Sequence, residues 1–145
     1  MVELHGEACN LDRKQYCLLL EFCNCDLMKL IKVRTLIPED QAETIIESLF
    51  RAQYELNTKI IIHRDLKPSN IAIKFKHLTT VASFNDKGDA VEFLKNFDFV
   101  KDEQNFQIKF FDFGFSEAPV DGEFSSDSTS GTPAYSSPEQ LRGGF

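Results

Sequence analysis

The stretch Ile61–Asn70 reads IIHRDLKPSN and sets an aspartate, a lysine and an asparagine in one short loop behind an apolar run. Asp65 can take a proton from a hydroxyl. Lys67 stands two residues on, so in an extended loop it points the same way and can steady a phosphate in transfer. Asn70 offers an amide oxygen, a hard ligand suited to magnesium. A base, a cation on the moving group and metal ligands are the parts that phosphoryl transfer requires. Pro68 restricts the backbone between them. A polar loop that merely caps a strand has no need of all these residues in this order.

The whole chain has 145 residues, the size of one domain, and 42% of them are apolar, enough for a packed core. Its fourteen phenylalanines and absent tryptophan are unusual but name no function. A net charge of −7 and a pI near 4.9 argue against nucleic acid as a partner, because a duplex binder needs a cationic face. No apolar run is long enough to cross a bilayer, and MVELHGEACN at the start has neither the basic nor the apolar region of a signal peptide. Membrane is therefore not an expected partner. The cysteines, Cys9, Cys17, Cys23 and Cys25, lie together at the start, which is no framework for disulfides across the chain. Reduced thiols fit a cytoplasmic location, or a cytoplasmic and nuclear one. A zinc site at Cys23 and Cys25 is a weak alternative, because no C-x-x-C pair supports it.

Around the loop the chain falls into short elements. YCLLLEF, Tyr16 to Phe22, suits a buried strand, and Asn24 or Asp26 can cap a helix with Leu27, Leu30 and Ile31 on its inner face. From Pro38 a longer helix is predicted, with Glu39 and Asp40 at its positive end and a stripe of Ala42, Ile45, Ile46, Leu49, Gln53 and Leu56. IAIKF after Asn70 and FQIKFF from Phe106 to Phe111 read as strands. Adjacent strands need only a short connection, so residues 74–106 contain an insertion, holding a helix capped by Asp89 with Val91, Leu94 and Phe97 on one face. Beyond Phe113 the composition is that of a loop as far as Ser130. No internal repeat is present.

These motifs and their order resemble the eukaryotic protein kinases of serine/threonine type. KFFDFG matches the D-F-G motif: the resemblance implies that Asp112 binds magnesium bridging the ATP phosphates, and that Phe113, before Gly114, reports the active or inactive state. Asp98, in NFDFV, is a decoy without the glycine. GTPAYSSPEQL resembles the end of an activation segment, with Thr132 bonding the catalytic aspartate and lysine and Ser137, Pro138 and Glu139 in the A-P-E position. Lys67 with Thr132 favours serine or threonine as acceptor. Arg64 before Asp65 implies an activation loop ordered by phosphate from an upstream kinase, and Ser128, within SSDSTS, is the first candidate. YCLLLEFCNCDL resembles the hinge: Leu20 as gatekeeper, backbone groups of Glu21 and Cys23 on the adenine edge, Asp26 on the ribose and Ala72 beneath the ring.

The resemblance implies an α+β, kinase-like fragment using ATP and Mg2+ on a protein substrate. Residues 1–25 would be the last N-lobe strand and hinge, 26–73 the first C-lobe helices and catalytic loop, 74–106 the insertion, and 107–145 the D-F-G motif and activation segment. No G-x-G-x-x-G occurs and no V-A-I-K-like lysine precedes Tyr16. Most of the N-lobe and the lower C-lobe helices are thus expected to be missing. The isolated chain is expected to transfer phosphate poorly and to leave apolar surface on the Pro38 helix. The alternative is a non-catalytic interaction module that docks through the insertion or that bare surface.

Overall fold

The structure is a computed structural model, and it describes residues 1–10, 13–76, 88–121, 123–124 and 130–142. Two small antiparallel sheets and the helices between them make a mixed α and β arrangement. Strands β1 (Leu4–Asn10) and β2 (Gln15–Leu20) pair from Leu4 opposite Leu20 to Asn10 opposite Gln15. The apolar run at Tyr16 reads as a buried strand, but every residue of β2 is exposed. Among the described residues nothing covers this two-stranded ribbon, so hydrophobicity forms the strand without burying it.

After the connector, β3 (Cys25–Asp26) joins β4 (Ile71–Phe75) and β5 (Phe106–Phe110) in the second sheet. Ile71 faces Phe110, Ile73 faces Ile108 and Phe75 faces Phe106, so one face carries a wall of aliphatic and aromatic side chains. Helix α1 (Leu27–Arg34) starts where the Asp26 Oδ1 accepts from the Lys29 amide at 2.7 Å, and it ends at Thr35, whose φ is 53°. Helix α2 (Glu39–Thr58) follows Pro38 and buries Ile45, Ala52 and Leu56 against the sheet. Its predicted stripe is corrected on one side. Ile46 is 48% exposed and continues into Phe50 and Tyr54, each 69% exposed. The helix therefore carries a second apolar row turned away from the core.

Residues 88–106, part of the segment expected to be an insertion, are built into the core. Helix α3 (Asp89–Asn96) buries Leu94, while Phe93, Phe97 and Phe99 close a ring cluster on Phe75 and Phe106. Centroid separations of 4.7 Å for Phe75–Phe97 and 4.9 Å for Phe97–Phe99, with steeply inclined rings, are the edge-to-face contacts that aromatic quadrupoles favour. Arg34 of α1 ties the cluster down: its Nε donates to the Leu94 carbonyl at 2.6 Å, Nη2 donates to the Phe97 carbonyl, and the guanidinium lies 5.0 Å from the Phe99 ring. The α3 cap is corrected, since Gly88 holds the cap position, no side chain bonds there, and Asp89 is the first helical residue. Helix α4 (Pro138–Leu141) is one turn, capped by the Ser137 hydroxyl accepting from the Gln140 amide at 3.3 Å.

Candidate functional site

The loop leaving α2 is held from both sides. Ile62 forms a two-way backbone bridge with Glu117 at 2.8 Å. Buried His63 sits between the strands and the loop beyond, its Nε2 3.0 Å from the Phe111 carbonyl and its ring 4.8 Å from that of Phe113. Asp65, 3% exposed, then enters the interior as a carboxylate.

Three side chains meet that carboxylate. Lys67 Nζ donates to Asp65 Oδ2 at 2.7 Å, Asn70 Nδ2 donates to the same oxygen at 2.9 Å, and the Thr132 hydroxyl donates to Oδ1 at 2.7 Å. Lys67 also donates to Thr132 Oγ1 at 2.8 Å, closing a triangle. Burial alone would raise the Asp65 carboxyl, but bonds from Lys67 and Thr132 outweigh it and hold the group below the usual carboxylate range. Asp65 is therefore ionised at neutral pH, as a proton acceptor must be.

The second amide hydrogen of Asn70 reaches the Asp65 carbonyl at 3.0 Å. Both nitrogen partners are oxygens, which settles the amide's orientation and leaves Oδ1 as the atom for a hard cation. Asp112 follows Phe111, whose amide donates to the Asn70 carbonyl at 3.2 Å, and has a left-handed φ of 60°. A carboxylate and an amide oxygen are ligand types that Mg2+ accepts. Gly114 adjoins this carboxylate: a Cβ there would lie 3.4 Å from Asp112 Oδ1. Asp98 instead closes a turn of the insertion, accepting from the Val100 and Lys101 amides at 3.1 Å.

A cavity of about 300 Å³ is lined by Val2, Leu20, Glu21, Cys23, Asp26, Ala72 and others. It brings together Leu20, Glu21, Cys23, Asp26 and Ala72, the residues assigned to the adenine and ribose from the sequence, while Asn70 and Asp112 do not line it; its volume is that of a small-ligand pocket. Asp26 lines it while lending one oxygen to the cap of α1. The sequence reading gave Glu21 only a backbone role, yet its buried carboxylate pairs with Lys74 and, at 2.5 Å, with Lys109. Nothing in the hinge-like string announces those lysines, because they come from β4 and β5.

The sequence reading assigned Arg64 to a phosphate, but its partner here is a carboxylate. Nη1 meets Glu117 Oε2 at 2.6 Å, with the two side chains only 11% and 13% exposed, and Nε donates to the Phe115 carbonyl at 2.7 Å. Nη2 reaches the Ser130 hydroxyl at 3.4 Å. Ser128 lies outside the described residues. Gln140, which sequence reasoning missed, donates through Nε2 to the Arg64 carbonyl at 2.9 Å and to the Ser130 carbonyl. Glu139 is exposed in the first turn of α4.

Residues 5–144 match the model of the protein kinase domain. The probable serine/threonine-protein kinase fhkE of Dictyostelium discoideum is 34% identical over 131 residues, 90% of this chain and 15% of that protein. The serine/threonine-protein kinase unc-51 of Caenorhabditis elegans is 31% identical over 86% of this chain and 12% of its own length. The serine/threonine-protein kinase TIO of Arabidopsis thaliana is 28% identical over 89% of this chain and 8% of its own length. The chain thus spans less than a sixth of each of these relatives.

Proposed function

This chain belongs to the protein kinase family, and we propose that it carries the catalytic loop, nucleotide floor and activation segment of a serine/threonine kinase. In this reading residues 1–25 are the last strands of the smaller lobe and the hinge, 26–73 the first helices and catalytic loop of the larger lobe, 74–106 an insertion, and 107–145 the D-F-G motif and activation segment. The location we propose is cytoplasmic, or cytoplasmic and nuclear.

Asp65 accepts the proton of a protein Ser or Thr hydroxyl as it attacks the γ-phosphoryl group of ATP. Lys67, already shared between Asp65 and Thr132, places its charge beside the group in transfer. Thr132 keeps base and cation at a fixed separation, and its link to both favours an aliphatic hydroxyl as acceptor. Asn70 Oδ1 and the Asp112 carboxylate would hold Mg2+, which neutralises phosphate charge when bound. The cavity over Ala72 takes the adenine against the backbone of Glu21 and Cys23, with Leu20 at its back and the other oxygen of Asp26 toward the ribose.

The observation that carries this reading is the closed set of bonds joining Asp65, Lys67, Asn70 and Thr132. In the complete protein, Asp65→Asn should lower kcat by about 10²–10⁴, the usual worth of a general base. That is a barrier of roughly 3–5 kcal/mol. Nucleotide affinity should change little. A variant that phosphorylates a Ser/Thr peptide at the wild-type rate removes Asp65 from the role. The isolated chain should transfer phosphate poorly, since positioning supplies most of this catalysis.

One observation favours a second reading as an interaction module, the exposed row Ile46, Phe50 and Tyr54 on α2. Under it, Asp65→Asn would leave the protein's biological effect intact.

A further inference from the structure

Glu21 begins the connector between the two sheets, and its side chain is 5% exposed. A buried carboxylate needs partners. Glu21 has one on each of two strands: Lys74 of β4, and Lys109 of β5 at 2.5 Å. Its Oε2 also accepts from the Glu3 amide at 3.2 Å, while its own amide donates to the Glu3 carbonyl at 2.7 Å. One residue therefore fastens the chain entering β1 and two of the three strands of the second sheet, β4 and β5.

The register shows where this fastening acts. Ala72 pairs with Lys109, and Lys74 pairs with Gln107. Side chains alternate along a strand, so Ala72, Lys74 and Lys109 share one face of the sheet, while Ile71, Ile73 and Phe75 fill the core on the other. The face that carries the cavity floor at Ala72 thus also carries the two lysines that grip Glu21. Leu20, Glu21 and Cys23 form the wall opposite that floor. The separation of wall from floor is set at one end by Asn24, whose amide donates to the Ile73 carbonyl at 3.0 Å and whose Oδ1 accepts from the Phe75 amide at 2.8 Å. At the other end it is set by Glu21 and its lysines.

We propose that the Glu21 carboxylate is a positioning group for the nucleotide: held by Lys74 and Lys109, it fixes the gap between the connector and Ala72 into which the adenine slides. This rests on the kinase reading above. It assigns the residue a side-chain role in base affinity, separate from the backbone contact at the same position, and none in the transfer step.

The test uses the complete protein, with direct titration of ATP, adenosine and inorganic tripolyphosphate alongside steady-state kinetics. Glu21→Gln keeps the length and removes the charge. It should weaken ATP and adenosine alike by about tenfold, the factor that 1.4 kcal/mol represents. Tripolyphosphate binding should hold, and kcat should stay within about threefold, because the loss lies in binding and not in the transition state. Lys109→Met should shift affinity the same way, and it gives the answer if Glu21→Gln does not fold. A folded Glu21→Gln protein with unchanged adenosine affinity overturns the proposal while leaving the kinase reading standing. So does an equal loss for adenosine and tripolyphosphate, which would mark general loosening. A wild-type protein that binds no adenine nucleotide overturns both.

Discussion

Arg64 and Glu117 meet at 2.6 Å with little of either side chain exposed, so the cation beside Asp65 is already neutralised by a carboxylate from the segment after the D-F-G motif. The same guanidinium reaches Phe115 and Ser130, and one residue of the catalytic loop thereby ties together three points of that segment. A phosphate arriving at Ser128 would have to displace or share with Glu117 before Arg64 could bind it. Glu117→Gln should destabilise the protein by about 2 kcal/mol, the worth of a charged hydrogen bond whose buried partner is left behind. Chemical denaturation gives that number. If the carboxylate stands where a phosphate would otherwise bind, Ser128→Asp should do little in the wild type and recover part of the loss in Glu117→Gln. Equal effects of Ser128→Asp in both backgrounds would separate the two sites.

Glu21 gives the fold an acid-sensitive point. Burial alone would raise its carboxyl, but Lys109 and Lys74 outweigh burial and draw it down from 4.5 to about 2. A carboxyl with a depressed folded-state pKa stabilises fully above the unfolded value, and the gain drains away as pH falls toward the folded one. Unfolding free energy should therefore drop by about 1–3 kcal/mol between pH 5 and pH 2 through this group, the lower figure allowing for solvent screening. Glu21→Gln should flatten that part of the profile. The variant's curve is compared with the wild type's, because Asp65 titrates in the same direction. Parallel curves would show that Glu21 contributes nothing to acid lability.

The grouping of Asp65, Lys67 and Asn70 was legible because it is local: they lie within six consecutive residues, and the structure joins them through side chains that short spacing can deliver. What stayed hidden depends on register and long-range packing. Lys74 and Lys109 become partners of Glu21 only because β4 and β5 pair as they do. Glu117 looks like a stray acid in a loop until Arg64 turns toward it. β1 was missed because LHGEACN has neither a clean alternation nor a strong apolar run. The burial of Tyr16 to Leu20 was misjudged because periodicity reports a strand's faces and not what covers them. The abundance of phenylalanine named no function in the sequence, and five of the fourteen, Phe75, Phe93, Phe97, Phe99 and Phe106, prove to join residues 88–106 to the sheet.

That attachment is directly testable. Leu94 is fully buried in the last turn of α3, and Leu94→Ala should cost about 2–5 kcal/mol, as large-to-small changes in a packed core do. Arg34→Met removes the bonds to the Leu94 and Phe97 carbonyls and should act in the same direction. Both variants are read by one cooperative denaturation curve. A wild-type midpoint for Leu94→Ala would mean that the insertion is an appendage and not part of the core.

Gly131 is the residue whose replacement should do most damage for its size. It stands between Ser130 and Thr132 with φ of +116°, a conformation that L side chains rarely adopt. A Cβ built there would lie 2.4 Å from the Arg64 carbonyl oxygen and 2.9 Å from Gln140 Nε2. The Gln140 amide can swing away, but the Arg64 carbonyl is backbone and already accepts from Gln140. Gly131→Ala thus meets two penalties at once: a strained backbone worth about 1–3 kcal/mol, and a clash relieved only by moving the segment off the catalytic loop. The movement would pull Thr132, one residue on, away from Asp65 and Lys67. In the complete protein kcat should therefore fall well beyond what the loss of folded protein explains. Thr132→Val, which removes the hydroxyl without straining the backbone, should reproduce the fall in rate with a smaller loss of stability. If Gly131→Ala instead lowers the melting temperature and leaves the rate per folded molecule unchanged, the glycine serves the fold alone, and Thr132 keeps its place without it.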